Sequence, residues 1–163
     1  MSSLVLVHVL ISFVGIVSGF VVVFGLIGGK RRDRWTAAFL VSTILTSLSG
    51  FILPAHKILP SHIIGVISLV VLAVACFARY GRSLAGRWRS TYVISATVAL
   101  YFNVFVLVVQ SFLKIPALKA LAPTQSEPPF TAAQGMVLIL FVVLGVLAVK
   151  GFRVAPQTLA AAR

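Results

Sequence analysis

Acid is almost missing from this chain. Asp33 and Glu127 are its only acidic side chains in 163 residues. A pair of neighbouring carboxylates for general acid–base work is therefore not on offer. Cysteine is scarcer still. Cys76 stands alone, which excludes an intrachain disulfide and a thiolate metal cluster. It reads as a small buried apolar residue. Charge of either sign is low, at 10% of residues, where soluble domains carry about 25%. So few charges cannot coat a globule of this size. The chain also lacks a nucleophile elbow, a Gly-rich phosphate loop and an HExxH motif, and no catalytic residue is assigned.

What is present is apolar sequence in long runs. Apolar residues make up 60% of the chain, and the mean hydropathy is +1.13. The first run, 4–27, would reach about 36 Å as a helix, enough for a hydrocarbon core of about 30 Å. Met1 to Ser3 has no basic segment, so this run is expected to be a retained helix rather than a signal peptide. Further runs cover 36–53, 62–78, 91–113 and 131–149. Each is continuously apolar, where strands of a membrane barrel would alternate. The expected fold class is all-α: an integral membrane bundle of five transmembrane helices. It forms a single domain over 1–153, with a short tail over 154–163.

The connectors carry the breakers. Gly28-Gly29 closes the first run, and Pro54 the second. The stretch 54–61, with two prolines, reads as a tight, stiff turn, with Ser61 as the cap of the third helix. In the longest loop, 114–130, residues 117–121 suit one interfacial helical turn, and 125–129 reads as extended.

The basic residues decide orientation. Lys30, Arg31, Arg32, Arg34, Arg79, Arg82, Arg87, Arg89, Lys150, Arg153 and Arg163 fall on one side, and Lys57, Lys114 and Lys119 on the other. The richer side is expected to be cytoplasmic, which puts the N-terminus out and the C-terminus in. Trp35, Tyr80 and Trp88 sit at that inner boundary. A net charge of +12 would suit nucleic acid in a soluble protein. Here the cations come in short clusters between apolar runs, so the expected partners are membrane lipids, with anionic headgroups at the cytoplasmic face, and not nucleic acid.

Polar residues within the runs carry the remaining information, because a polar group in hydrocarbon needs a partner. No Asp, Glu, Lys or Arg is expected inside a span. That argues against a proton- or sodium-driven carrier, as does the odd number of spans. In the first span His8, Ser12, Gly15 and Gly19 share one face, and Gly15 with Gly19 would let another backbone approach. The second span has Ser42, Thr46 and Ser49 on one stripe and Thr43 with Ser47 on another. Asn103 and Gln110 face one way in the fourth.

Topology then gathers His8, His56, His62, Gln110, Glu127 and Gln134 into one outer layer. Three uses of this layer are open. The groups can satisfy one another, with Asn103, Gln110 and Gln134 as interhelical contacts. His8 and His62 can be axial ligands of haem b. His56, His62 and Glu127 can hold a divalent metal such as zinc, His56 and His62 being brought onto one loop by the duplicated pattern Leu53-Pro54-Ala55-His56 and Leu59-Pro60-Ser61-His62.

Four segments carry a resemblance: Arg34-Trp35-Thr36-Ala37-Ala38-Phe39-Leu40; His62-Ile63-Ile64-Gly65-Val66-Ile67-Ser68-Leu69; Tyr101-Phe102-Asn103-Val104-Phe105-Val106; and, most distinctively, Leu121-Ala122-Pro123-Thr124-Gln125-Ser126-Glu127-Pro128-Pro129-Phe130. Over about residues 30–153 the chain resembles a family of small uncharacterised bacterial polytopic inner-membrane proteins. The resemblance implies the bacterial cytoplasmic membrane and draws attention to His62, Asn103 and Glu127, which fall in the matching segments. It implies no activity.

The functional expectation is a non-enzymatic membrane component acting through helix–helix association, in a homo-oligomer or with other membrane subunits. The first alternative is a haem- or metal-binding redox or sensing protein using the outer layer. The second is a lipid or small-molecule binder between the spans.

Overall fold

The computed structural model describes residues 3–53 and 60–152. Every regular element among them is helical: α1 Ser3–Ile27, α2 Asp33–Ile52, α3 Pro60–Cys76 running on through a π-helical turn Phe77–Gly81, α4 Trp88–Lys114, α5 Pro116–Leu121 and α6 Pro128–Gly151. Five stretches are long and apolar enough to cross a membrane: α1, α2, α3 with its π-turn, α4 and α6.

Local sequence explains the ends. Gly29 adopts φ +69°, which costs a glycine nothing. Gly29 N–H then donates to Leu26 O (3.0 Å) and Lys30 N–H to Gly25 O (2.8 Å). These two bonds are a Schellman motif, and they satisfy carbonyls the helix would leave open. Pro116 opens α5, and Pro128 with Pro129 opens α6. A proline in the first turn gives up only an N–H that has no helical partner.

Two loop expectations fail for that reason. Residues 125–129 are not extended: Gln125 is left-handed, at φ +60°, and Pro128 already belongs to α6. Ser61 does not precede α3, which begins at Pro60. The expected single turn at 117–121 is present as α5. The 54–59 turn lies outside the described residues, as does everything after Phe152.

Side-chain pairings give the directions. His8 meets Ser49, and the backbone of Gly15 and of Gly19 meets Thr43 and Phe39, so α1 and α2 are antiparallel. Phe51 meets His62 and Asp33 meets Arg79, so α2 and α3 are antiparallel too. α4 occupies the middle, packed against α1, α3 and α6. Its Ala96 and Ala99 are fully buried beside Val93 and Leu100; small side chains there let the neighbours come close.

The close approach that Gly15 and Gly19 allow is made within the bundle. The Gly15–Gly19 face is not open to a partner chain. A Cβ on Gly15 would lie 3.2 Å from the hydroxyls of Ser42 and Thr43, and one on Gly19 2.5 Å from Leu100 Cδ1. The bundle itself fills that face.

The alternation of directions puts the start of α1, α3 and α6 at one end with the finish of α2 and α4; we call it the histidine end. The opposite end carries Lys30 to Arg34, Arg79 to Arg89 and Lys150, and we call it the arginine end.

Candidate functional site

At the histidine end, several polar groups meet protein partners. His8 Nδ1 lies 2.7 Å from Ser49 Oγ. The Ser49 hydroxyl donates to Thr46 O at 3.1 Å. Which of the two atoms donates in the His8–Ser49 bond depends on the imidazole tautomer. His62 stacks on Phe51, with ring centroids 5.7 Å apart. Deeper in the bundle Asn103 donates through Nδ2 to Thr43 Oγ1 at 3.1 Å. Gly15 makes room for that bond: a Cβ there would be 3.4 Å from Asn103 Nδ2. This bond runs between α4 and α2, and with Gly15 it joins α1, α2 and α4 at one node.

Gln134 donates to Phe105 O at 3.2 Å, while its Oε1 is buried without a hydrogen-bond partner. Gln110 is half-buried on α4. Gln125 donates to Val109 O at 2.9 Å. Glu127 closes its own loop: Oε1 accepts the Thr124 N–H (3.1 Å) and hydroxyl (2.9 Å), and Oε2 accepts the Ser126 N–H (3.1 Å). Desolvation pushes the carboxyl upward, but the bonds from Thr124 and Ser126 outweigh it. They hold Glu127 below the ordinary carboxylate value.

The structure places His8 and His62 at the same end but on different flanks of α2. Their contacts, Ser49 and Phe51, are two residues apart and point about 200° from one another around the helix. Two axial imidazoles must face one space to share a haem, and here α2 stands between them. Of the proposed metal ligands, His56 lies outside the described residues, and Glu127 is engaged by Thr124 and Ser126. Among the described residues no three of His, Cys, Asp and Glu come together as a metal site.

The arginine end holds what the sequence reading missed. Arg79, expected in a loop, falls within the helical stretch His62–Gly81 that is long and apolar enough to cross a membrane. Its side chain is buried, 4% exposed, and reaches Asp33, which is 69% exposed. The guanidinium also lies 5.5 Å from the Tyr80 ring and 5.3 Å from the Tyr92 ring. Tyr92 is buried and donates its hydroxyl to Thr36 Oγ1 at 3.4 Å. Arg79 Nε is buried with no hydrogen-bond partner. The apolar run stops at Ala78, but no residue there breaks a helix before Gly81. That absence is the signal by which Arg79 could have been found.

The loop that follows is bent by three left-handed residues, Ser83, Leu84 and Gly86. Leu84 is nonetheless buried in the core. Arg82 lies over the rings of Phe77 and Trp88, and Arg89 donates to Val149 O at 3.3 Å.

No family model, no curated protein and no solved structure matches the chain.

Proposed function

We propose that this chain is an integral membrane protein that threads the bilayer of the bacterial cytoplasmic membrane five times, histidine end outward and arginine end inward. It acts as a non-catalytic membrane component, through association with a second copy or with other membrane subunits. The observation that carries this reading is how its interior polar groups are used. His8 bonds to Ser49, Asn103 to Thr43 and Gln134 to a backbone carbonyl. Such bonds are what a bundle in hydrocarbon needs to hold its own helices in register.

The outer surface supports the same reading. Large apolar side chains are exposed along all five long helices, as hydrocarbon permits and water does not. The least covered is α6. Only 17% of its most apolar stretch is buried, against 39% for α1 and α4. Met136, Ile139 and Leu140 point outward there, and Gly135 has open space around its Cβ position. With the Gly15–Gly19 face filled from within, α6 is the surface left for a partner helix.

Cysteine cross-linking in native membranes tests this, in a Cys76→Ser background. Ile139→Cys is expected to give a cross-linked species, either a dimer of this chain or an adduct with another membrane protein. A chain that stays monomeric in membranes and captures nothing along α6 contradicts the reading.

A further inference from the structure

An open trough of about 400 Å³ runs along the outer surface between α1 and α2. Leu10, Phe13, Val14 and Val17 form one wall, and Trp35 and Ala38 the other. The wall follows from spacing. Positions i, i+3, i+4 and i+7 share one helix face, and all four side chains are about half exposed. The trough follows from size, because Ala38 puts a methyl group where its neighbours have bulk. Apart from Ser18 the side chains that line it are apolar, which suits an acyl chain.

The mouth of the trough is charged. Arg34 precedes Ala38 by four residues and shares its face of α2, one turn nearer the arginine end. Lys30 lies in the adjoining turn, and both are exposed. The acid of this end, Asp33, is held by Arg79 and approached by Arg31 at 3.7 Å. The other acid, Glu127, is at the opposite end, so among the described residues no further carboxylate is present to neutralise Arg34 and Lys30. Trp35 lies between mouth and trough, where an amphipathic ring suits a membrane boundary.

An apolar trough in line with an unneutralised cationic mouth calls for one molecule that is apolar along its length and anionic at its head. We propose that the α1–α2 trough binds a single anionic glycerophospholipid. One acyl chain lies along Leu10, Phe13, Val14 and Val17, and the phosphate is held by Arg34 and Lys30. This rests on the chain spanning the bilayer, and the test below separates the two.

The purified protein is incubated in mild detergent with equal amounts of phosphatidylglycerol and phosphatidylethanolamine, and retained lipid is measured by native mass spectrometry. One phosphatidylglycerol per chain is expected, in preference to phosphatidylethanolamine. Arg34→Gln, an exposed change, is expected to lower that retention about fivefold. Ala38→Trp fills the trough and is expected to remove bound lipid while the oligomeric state is kept. Equal retention of the two lipids, or retention unaffected by Arg34→Gln, overturns the proposal. So does Ala38→Trp changing the oligomeric state with lipid retention unaltered, which would make the trough a contact between copies. Extraction of native membranes with alkaline carbonate tests the premise separately: release into the aqueous phase defeats the spanning reading, whereas an embedded chain with no lipid preference defeats this proposal alone.

Discussion

Arg79 and Asp33 form an ion pair with one partner buried and the other open to the surroundings. The guanidinium sits in the π-turn that prolongs α3, between two tyrosine rings, and the carboxylate opens α2. A buried charge is costly unless it is paired. The pair therefore ties the end of α3 to the start of α2 at the arginine end.

Removing one partner should hurt more than removing both. Asp33→Asn strands a buried cation. Because the carboxylate is largely exposed, the expected cost is about 1–2 kcal/mol, well below the roughly 3–5 kcal/mol of a wholly buried pair. Arg79→Met together with Asp33→Asn should recover part of that loss. Unfolding in mixed micelles checks the order; a double variant less stable than Asp33→Asn alone would contradict it.

Asn103 and Thr43 are the polar node of the interior. A double-mutant cycle on Asn103→Leu and Thr43→Val should give a coupling of about 0.6 kcal/mol, the usual size for an interhelical bond in a membrane bundle. Zero coupling would mean that the bond at 3.1 Å is not formed in the membrane.

Two glycines should differ in their tolerance of alanine. A Cβ on Gly19 meets the side chains of Leu100 and Phe39, which can turn aside. A Cβ on Gly151 meets the Ile27 carbonyl oxygen, a backbone atom. Overpacking costs about 1–3 kcal/mol, and Gly151→Ala should lie at or above the top of that range, Gly19→Ala lower. Thermal denaturation of the two variants in the same detergent reads the ranking.

Acid should loosen the loop before α6. Glu127 has its carboxyl depressed in the folded chain. Its bonds to Thr124 and Ser126 are therefore fully present above the unfolded carboxylate value of about 4.3. They are lost as pH falls through the lower folded value. Amide exchange at Thr124 and Ser126 should speed up, at equal intrinsic rate, as pH falls through that depressed value. Glu127→Gln should remove that dependence; an unchanged acid response in the variant would place its cause elsewhere.

The architecture was legible because each long helix is a long apolar run, and its ends are marked by Gly28-Gly29, Pro116 or Pro128. The boundaries shifted where prolines open helices rather than break them, as at Pro60, Pro116 and Pro128. Asn103 was legible as an interhelical bond because an amide deep in an apolar run has little else to do. What spacing could not show is which helix faces which. So the helices that pack on Gly15 and Gly19 could not be named, and His8 and His62 were grouped in one layer when α2 separates their contacts. Arg79 was counted with the loop because positive charge signals topology, and only the rings of Tyr80 and Tyr92 with Asp33 show why it can be buried.

The spanning topology is tested most directly by labelling single cysteines in intact cells with a membrane-impermeant maleimide, in a Cys76→Ser background. Ser126→Cys, at the histidine end, should react from outside, and Arg87→Cys, at the arginine end, only after the membrane is opened. Labelling of both from outside, of neither, or of Arg87→Cys alone would contradict a chain that crosses the bilayer five times with its arginine end inward.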